Sequence, residues 1–166
     1  PDLVIDTPLE APASVAWSYI TDPKLRPMWQ QDIVGVKSKP PKSGRMGEGW
    51  ESHCDHGGYV MALRIVDWLP FQRIVFDSSS VGKSITKPPR NYVEFAFTDQ
   101  PGGRCVLSFR VRLRGGPVSR ALFRLVRPMV RREWAMHFRH LQQLVGEAQA
   151  KVEGLHLLAG ATVQTQ

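Results

Sequence analysis

The sequence is poor in cysteine, has no long apolar run, and in one region has almost no acid. Cys54 and Cys105 are the only cysteines among 166 residues, too few for a disulfide framework. They read as reduced, partly buried thiols. The chain shows no basic-then-apolar leader at Pro1, so the expected location is cytoplasmic. No stretch reaches the roughly 20 apolar residues that a membrane-spanning helix needs. No serine sits in a Gly-x-Ser-x-Gly elbow, which argues against a serine hydrolase of that type. Gly47-Glu-Gly49 and Gly102-Gly103 are spaced like hairpin glycines and not like a phosphate-cradling loop.

Acid is scarce between Arg104 and Arg139, where ten arginines are opposed by Glu133 alone. This stretch carries about +9 of a net +7, leaving the rest near −2. Such asymmetry reads first as a solvated basic face and second as an anionic partner. The stretch has no recognition-helix signature and no aromatic-interleaved strand, so nucleic acid is not expected. Transient contact with an anionic membrane surface is the remaining partner of that charge. The oligomeric state is not readable.

What is present is a layout. Leu3-Val-Ile5 reads as a first strand. Ala11-Pro-Ala-Ser14 opens a short helix, with Pro12 suited to its first turn, and Asp22-Pro23 ends it before a second short helix with Leu25, Met28 and Trp29. Six strand-like segments follow between about Ile33 and Arg114. Asp55-His-Gly-Gly58 and Gln100-Pro-Gly-Gly103 are the hairpin turns. Ser79 to Pro89 reads as a flexible loop. In the last hairpin Val93, Phe95 and Phe97 share one face with Leu107, Phe109, Val111 and Leu113, while Arg110, Arg112 and Arg114 take the other. Pro117 to Ala150 reads as one long amphipathic helix with an apolar stripe through Phe123, Val130, Trp134, His137, Phe138 and Leu141, kinked or split at Pro128. Residues 1–150 are one domain and 151–166 a loosely ordered tail.

Ala11-Pro-Ala-Ser-Val-Ala-Trp17, followed by Ile20-Thr-Asp-Pro23 and Trp29, resembles the opening of the START-like superfamily (SRPBCC, polyketide cyclase/dehydrase and lipid transport), and the order of elements agrees nearly to Glu147. Ser52-His-Cys-Asp-His-Gly57 and Ile65-Val-Asp-Trp-Leu-Pro-Phe71 are similar to such domains joined to nucleotide-cyclase domains in bacterial signalling proteins. The resemblance implies an α+β helix-grip fold: a curved antiparallel sheet of about seven strands wrapped around a long C-terminal helix, with a cavity between them. It implies binding or transport of an apolar small molecule such as a lipid, isoprenoid or polyketide-like compound. A polyketide cyclase/dehydrase-type enzyme using the same cavity, or a sensory module of a larger signalling protein, are the alternatives.

The candidate lining follows from strand alternation and the helix stripe. Met61, Leu63, Phe76, Phe95, Phe109, Val130, Trp134 and Phe138 are the apolar candidates, with Trp50 joining Trp134 as the tryptophans expected in the pocket. His137, Tyr92 and Arg64 are the polar ones, His137 or Tyr92 moving protons in the enzymatic reading. Arg64 sits among Met61, Leu63 and Ile65, which suit the core better and leave it the outer face. No metal and no cofactor are expected. His53, Cys54 and His56 lie close together, with Cys105, His137 and His140 as distant completions, but their spacing matches no zinc motif and strand alternation separates His53 from Cys54.

Overall fold

The computed structural model describes residues 1–81 and 90–163, with side chains through residue 155. Seven strands form one antiparallel sheet: β1 (Leu3–Leu9), β2 (Gly35–Lys39), β3 (Glu51–Asp55), β4 (Val60–Leu69), β5 (Arg73–Val81), β6 (Asn91–Gln100) and β7 (Arg104–Leu113). Their order across the sheet is β1-β7-β6-β5-β4-β3-β2. Two short helices, α1 (Ala13–Thr21) and α2 (Arg26–Trp29), carry the chain from β1 at one edge to β2 at the other, and α3 (Pro117–Val163) closes the curved sheet. This is the α+β helix-grip arrangement. The loop expected over Ser79 to Pro89 lies outside the described residues apart from its first three, which continue β5.

Local chemistry accounts for the elements. Pro12 precedes α1 in extended geometry (φ −66°, ψ 156°), and its fixed φ and lack of an N–H cost nothing at a helix start. In β6 and β7 the alternation holds without interruption, pairing Phe95 with Phe109 and Val93 with Val111 on the inner face. In β4 it does not. The register slips between Ile65 and Asp67, so Met61, Leu63 and Ile65 face inward, Val66 is extruded, and Trp68 returns to the interior. There its ring meets Trp17 edge-on at 5.0 Å. A bulge of this kind exchanges the two faces of a strand. Pro128 lies inside one continuous α3 instead of dividing it. Its position is exposed, so the carbonyl it leaves without a donor can be hydrated.

α3 is about 70 Å long at 1.5 Å per residue, and of its described side chains Phe123, His137, Phe138, Leu141 and Val145 are buried. Trp29, fully buried, stacks on Phe138 at 6.1 Å and donates its indole N–H to the Tyr19 carbonyl at 2.8 Å. Gln142 of α3 reaches the Pro8 carbonyl of β1 at 2.8 Å. α2 and α3 are thus joined to the sheet through one aromatic cluster. Replacing Trp29 by Ala should cost about 3–5 kcal/mol of unfolding free energy, whereas Val34→Ala, at 71% exposure, should stay within about 0.5 kcal/mol. Urea denaturation of the two variants measures both.

Candidate functional site

A cavity of about 520 Å³ lies between the inner face of the sheet and α3. It exists because the cluster of Trp134, Phe95 and Phe109 sets how closely the helix approaches the sheet: Trp134 stacks on Phe109 at 4.2 Å and meets Phe95 at 6.4 Å. Phe76, Val93, Val111 and Leu113 supply the sheet wall, and Phe123, Val126, Met129 and Val130 the helix wall. Exposure is graded along it. Val126 and Met129 are open to solvent, while Cys54, Phe76 and Phe95 are buried.

Polar groups stand in two places. At the buried end are Arg26, Gln30, Ser78 and Asn91, all lining the cavity and all buried. Arg26 comes from the first residue of α2, and its guanidinium lies 4.9 Å from the Phe76 ring centre. Its Nη2 donates to the Ile20 carbonyl at 2.8 Å. Burial pulls its pKa down, against the Cys54 sulfur beside it. Burial likewise raises the Cys54 thiol, and the neighbouring Arg26 does not reverse that.

The second group joins three elements near the opening. Asp32 follows α2, His56 belongs to the β3–β4 turn, and Glu133 and His137 lie one helical turn apart on α3. His56 Nδ1 donates to Asp32 Oδ2 at 2.7 Å, and its ring stacks on Tyr59 at 4.8 Å, nearly parallel. His137 Nε2 lies 3.3 Å from Asp32 Oδ1. Burial opposes the charge of Asp32, but the His56 hydrogen bond and the two imidazoles prevail and hold its carboxyl below the usual range. His137 goes down: burial disfavours its cation, Asp32 and Glu133 resist, and His140 and His56 add to the fall. Tyr59 is raised by burial and by the two acids. A neutral imidazole beside a charged carboxylate can accept a proton and have the resulting cation stabilised. Asp32, Glu133 and His137 also offer three ligand atoms within 4.8 Å of one another, the one such set among the described residues.

Of the residues expected from sequence, Met61, Leu63, Phe76, Phe95, Val130, Trp134 and His137 line the cavity. Five do not. Phe109 and Phe138 are buried behind it as packing, their rings 5.2 Å apart. Trp50 packs against the core before β3 and outside the lining. Arg64 is exposed, paired in register with Glu51 and Asp77, because Leu63 and Ile65 hold the inner face. Tyr92 faces outward because Val93 and Phe95 face in; Arg114 covers its ring at 5.1 Å and Glu94 and Arg110 flank it. His53 turns away to Glu51 at 2.6 Å, whereas His56 and His137 meet through Asp32. Arg26, Asp32, Tyr59, Ser78 and Glu133 were not anticipated. Only Glu133 carried a signal, its helical spacing from His137.

A helix-grip domain with a lined internal cavity is the class that this geometry defines. The sequence places it further: the model of the family described as "Polyketide cyclase / dehydrase and lipid transport" matches residues 4–146, and the chain belongs to that family. Among curated proteins none matches. Solved structures share the fold. MLL2253 from Mesorhizobium loti superposes with a TM-score of 0.66 at 18% identity, over 87% of this chain and 96% of its own. CalU16 from Micromonospora echinospora does so at 0.52 and 20% identity, over 89% and 85%. DynU16, a protein of the dynemicin biosynthetic locus, gives 0.65 at 17% identity over 89% of this chain, which spans only 48% of DynU16.

The pairing of His137 with Asp32 has a measurable sign. Folded His137 holds its proton more weakly than an unfolded histidine, so its contribution to stability is complete above the ordinary range near 6.5 and drains as pH falls below it. Asp32→Asn removes the largest group favouring the cation. The His137 midpoint, followed by imidazole NMR titration, should then fall further below that of the parent.

Proposed function

We propose that this protein binds an apolar small molecule, of lipid, isoprenoid or polyketide-like character, in the cavity between the sheet and α3. The observation that carries the reading is the cavity itself. Its 520 Å³ lies within the range of small-molecule sites, roughly 300–1,000 Å³, and its walls are mainly apolar with a few convergent polar groups. Burial of ligand surface supplies the affinity and the polar groups fix orientation. The family's description embraces lipid transport as well as cyclase and dehydrase chemistry.

Contact with an anionic bilayer belongs to the same reading. In α3, Val118, Leu122, Leu125 and Met129 form a stripe 60–79% exposed, while Arg120, Arg124, Arg127 and Arg131 lie on the opposite flank. That is the distribution of an interfacial helix, and Met129 also lines the cavity. Among the described residues no helix is long and apolar enough to cross a membrane.

The Asp32–His137 pair favours a second reading, a cyclase or dehydrase in which His137 moves a proton at the bound molecule and Asp32 orients the imidazole. His137→Ala separates the two: a binder keeps its ligand, while an enzyme keeps its ligand and loses turnover. For the binding reading, Val130→Trp should fill the cavity from the helix side. We expect uptake of a fluorescent apolar probe to be abolished with an unchanged circular dichroism spectrum; undiminished uptake in a folded variant would displace the ligand from this cavity.

A further inference from the structure

We infer that the molecule taken up ends in a carboxylate, and that Arg26 receives it at the buried end of the cavity. This rests on the cavity being a binding site and names the class of its ligand. A guanidinium is charged at any pH a protein experiences, and Arg26 is 5% exposed. A cation so deeply placed ordinarily has an anion beside it, because water no longer stabilises the charge. Arg26 has none. Its contacts are a carbonyl, an aromatic face and the Cys54 thiol, and no carboxylate of the described residues forms an ion pair with it.

A second buried group indicates the same ligand. Arg26 Nε and Ser78 Oγ are both buried without a hydrogen-bond partner among the described residues, and both residues line this cavity. Buried polar atoms are nearly always satisfied. A planar carboxylate has two oxygens, enough to accept from a guanidinium edge and from a hydroxyl, and such charge-assisted bonds are the stronger kind. A neutral oxygen would leave the buried charge uncompensated. The acids near the opening do not compete for the role. Asp32 already faces two imidazoles and Glu133 is exposed to water, so the fully buried charge that lacks a counter-ion among the described residues is the Arg26 guanidinium. The hydrocarbon body then runs past Phe76 and Phe95 toward Val126 and Met129, in order of increasing exposure.

The test compares dodecanoate with dodecanol, identical in their chains, by isothermal titration calorimetry on the full chain at pH 8. The parent should prefer dodecanoate by at least about tenfold. Arg26→Met, close in length but uncharged, should erase that preference by weakening the acid while leaving the alcohol unchanged, and Arg26→Lys should keep part of it. Ser78→Ala should weaken dodecanoate several-fold and not dodecanol, and this variant carries the test if Arg26→Met fails to fold. Equal affinity for acid and alcohol in the parent, or a preference surviving in folded Arg26→Met, would overturn the assignment of the head group while leaving the container intact. Failure of both compounds to bind the parent would overturn both readings together.

Discussion

The distance between α3 and the sheet governs the rest of this structure. Trp134 and Phe138 from the helix, Phe95 and Phe109 from the sheet, and Trp29 from α2 interlock with ring separations of 4.2–6.4 Å. Aromatic side chains are long and stiff, and each buries a large apolar area. They bind the helix firmly where they meet and hold it away from the sheet beside that contact. A seam of leucines and alanines would let the layers close. Here the cavity follows from the packing that stabilises the domain.

The same arrangement explains why polar residues survive inside it. Arg26, Gln30, Ser78, Asn91 and His137 are buried in surroundings that otherwise favour hydrocarbon. In a close-packed core each would destabilise the fold unless fully bonded. At Arg26 Nε and Ser78 Oγ, which have no hydrogen-bond partner among the described residues, the deficit is left for whatever enters the cavity to make good. The two polar groups differ in kind: a carboxylate is hydrogen-bonded by His56 and flanked by His137, while a buried guanidinium has no counter-charge among the described residues. An asymmetric cavity of this kind would orient a bound molecule instead of merely enclosing it.

Much of the fold was legible in the sequence, and the reason differs between elements. β6 and β7 alternate strictly because one face meets the core and the other water, so Phe95, Phe109 and Arg110 could be placed from period two alone. The same rule put Tyr92 outside, and its candidacy for the pocket conflicted with the facing of Val93 and Phe95. β4 was legible only as far as Ile65, because the bulge at Val66 exchanges its faces midway, a backbone event with no residue signature. The site was less legible than the fold. Its polar residues come from α2, the segment after it, the β3–β4 turn, β5, β6 and α3. Among the helices and strands only α3 supplies two of them, Glu133 and His137, so no regular spacing could reveal the set. Sequence reasoning kept Arg64, within a strand, as a polar pocket candidate while giving its side chain the outer face that it has. The structure buries Arg26, at the head of a one-turn helix beside Pro27.

The pairing of β1 with β7 bears on how the domain comes into being. Leu3 lies opposite Val111, and Asp2 accepts from the Leu113 amide at 2.9 Å, so the first strand must wait for about a hundred intervening residues before it has a partner. Contacts so distant along the chain are made late, since loop closure is costly until they reward it. α3 in turn needs β1, through Gln142 and the Pro8 carbonyl. The hairpins of β3–β4, β4–β5 and β6–β7 are the local pieces, and the container is complete only when β1 and α3 are in place. Without β1 and α3 the apolar face of the sheet would be an open trough, so the closing of the container and the covering of that face are one event.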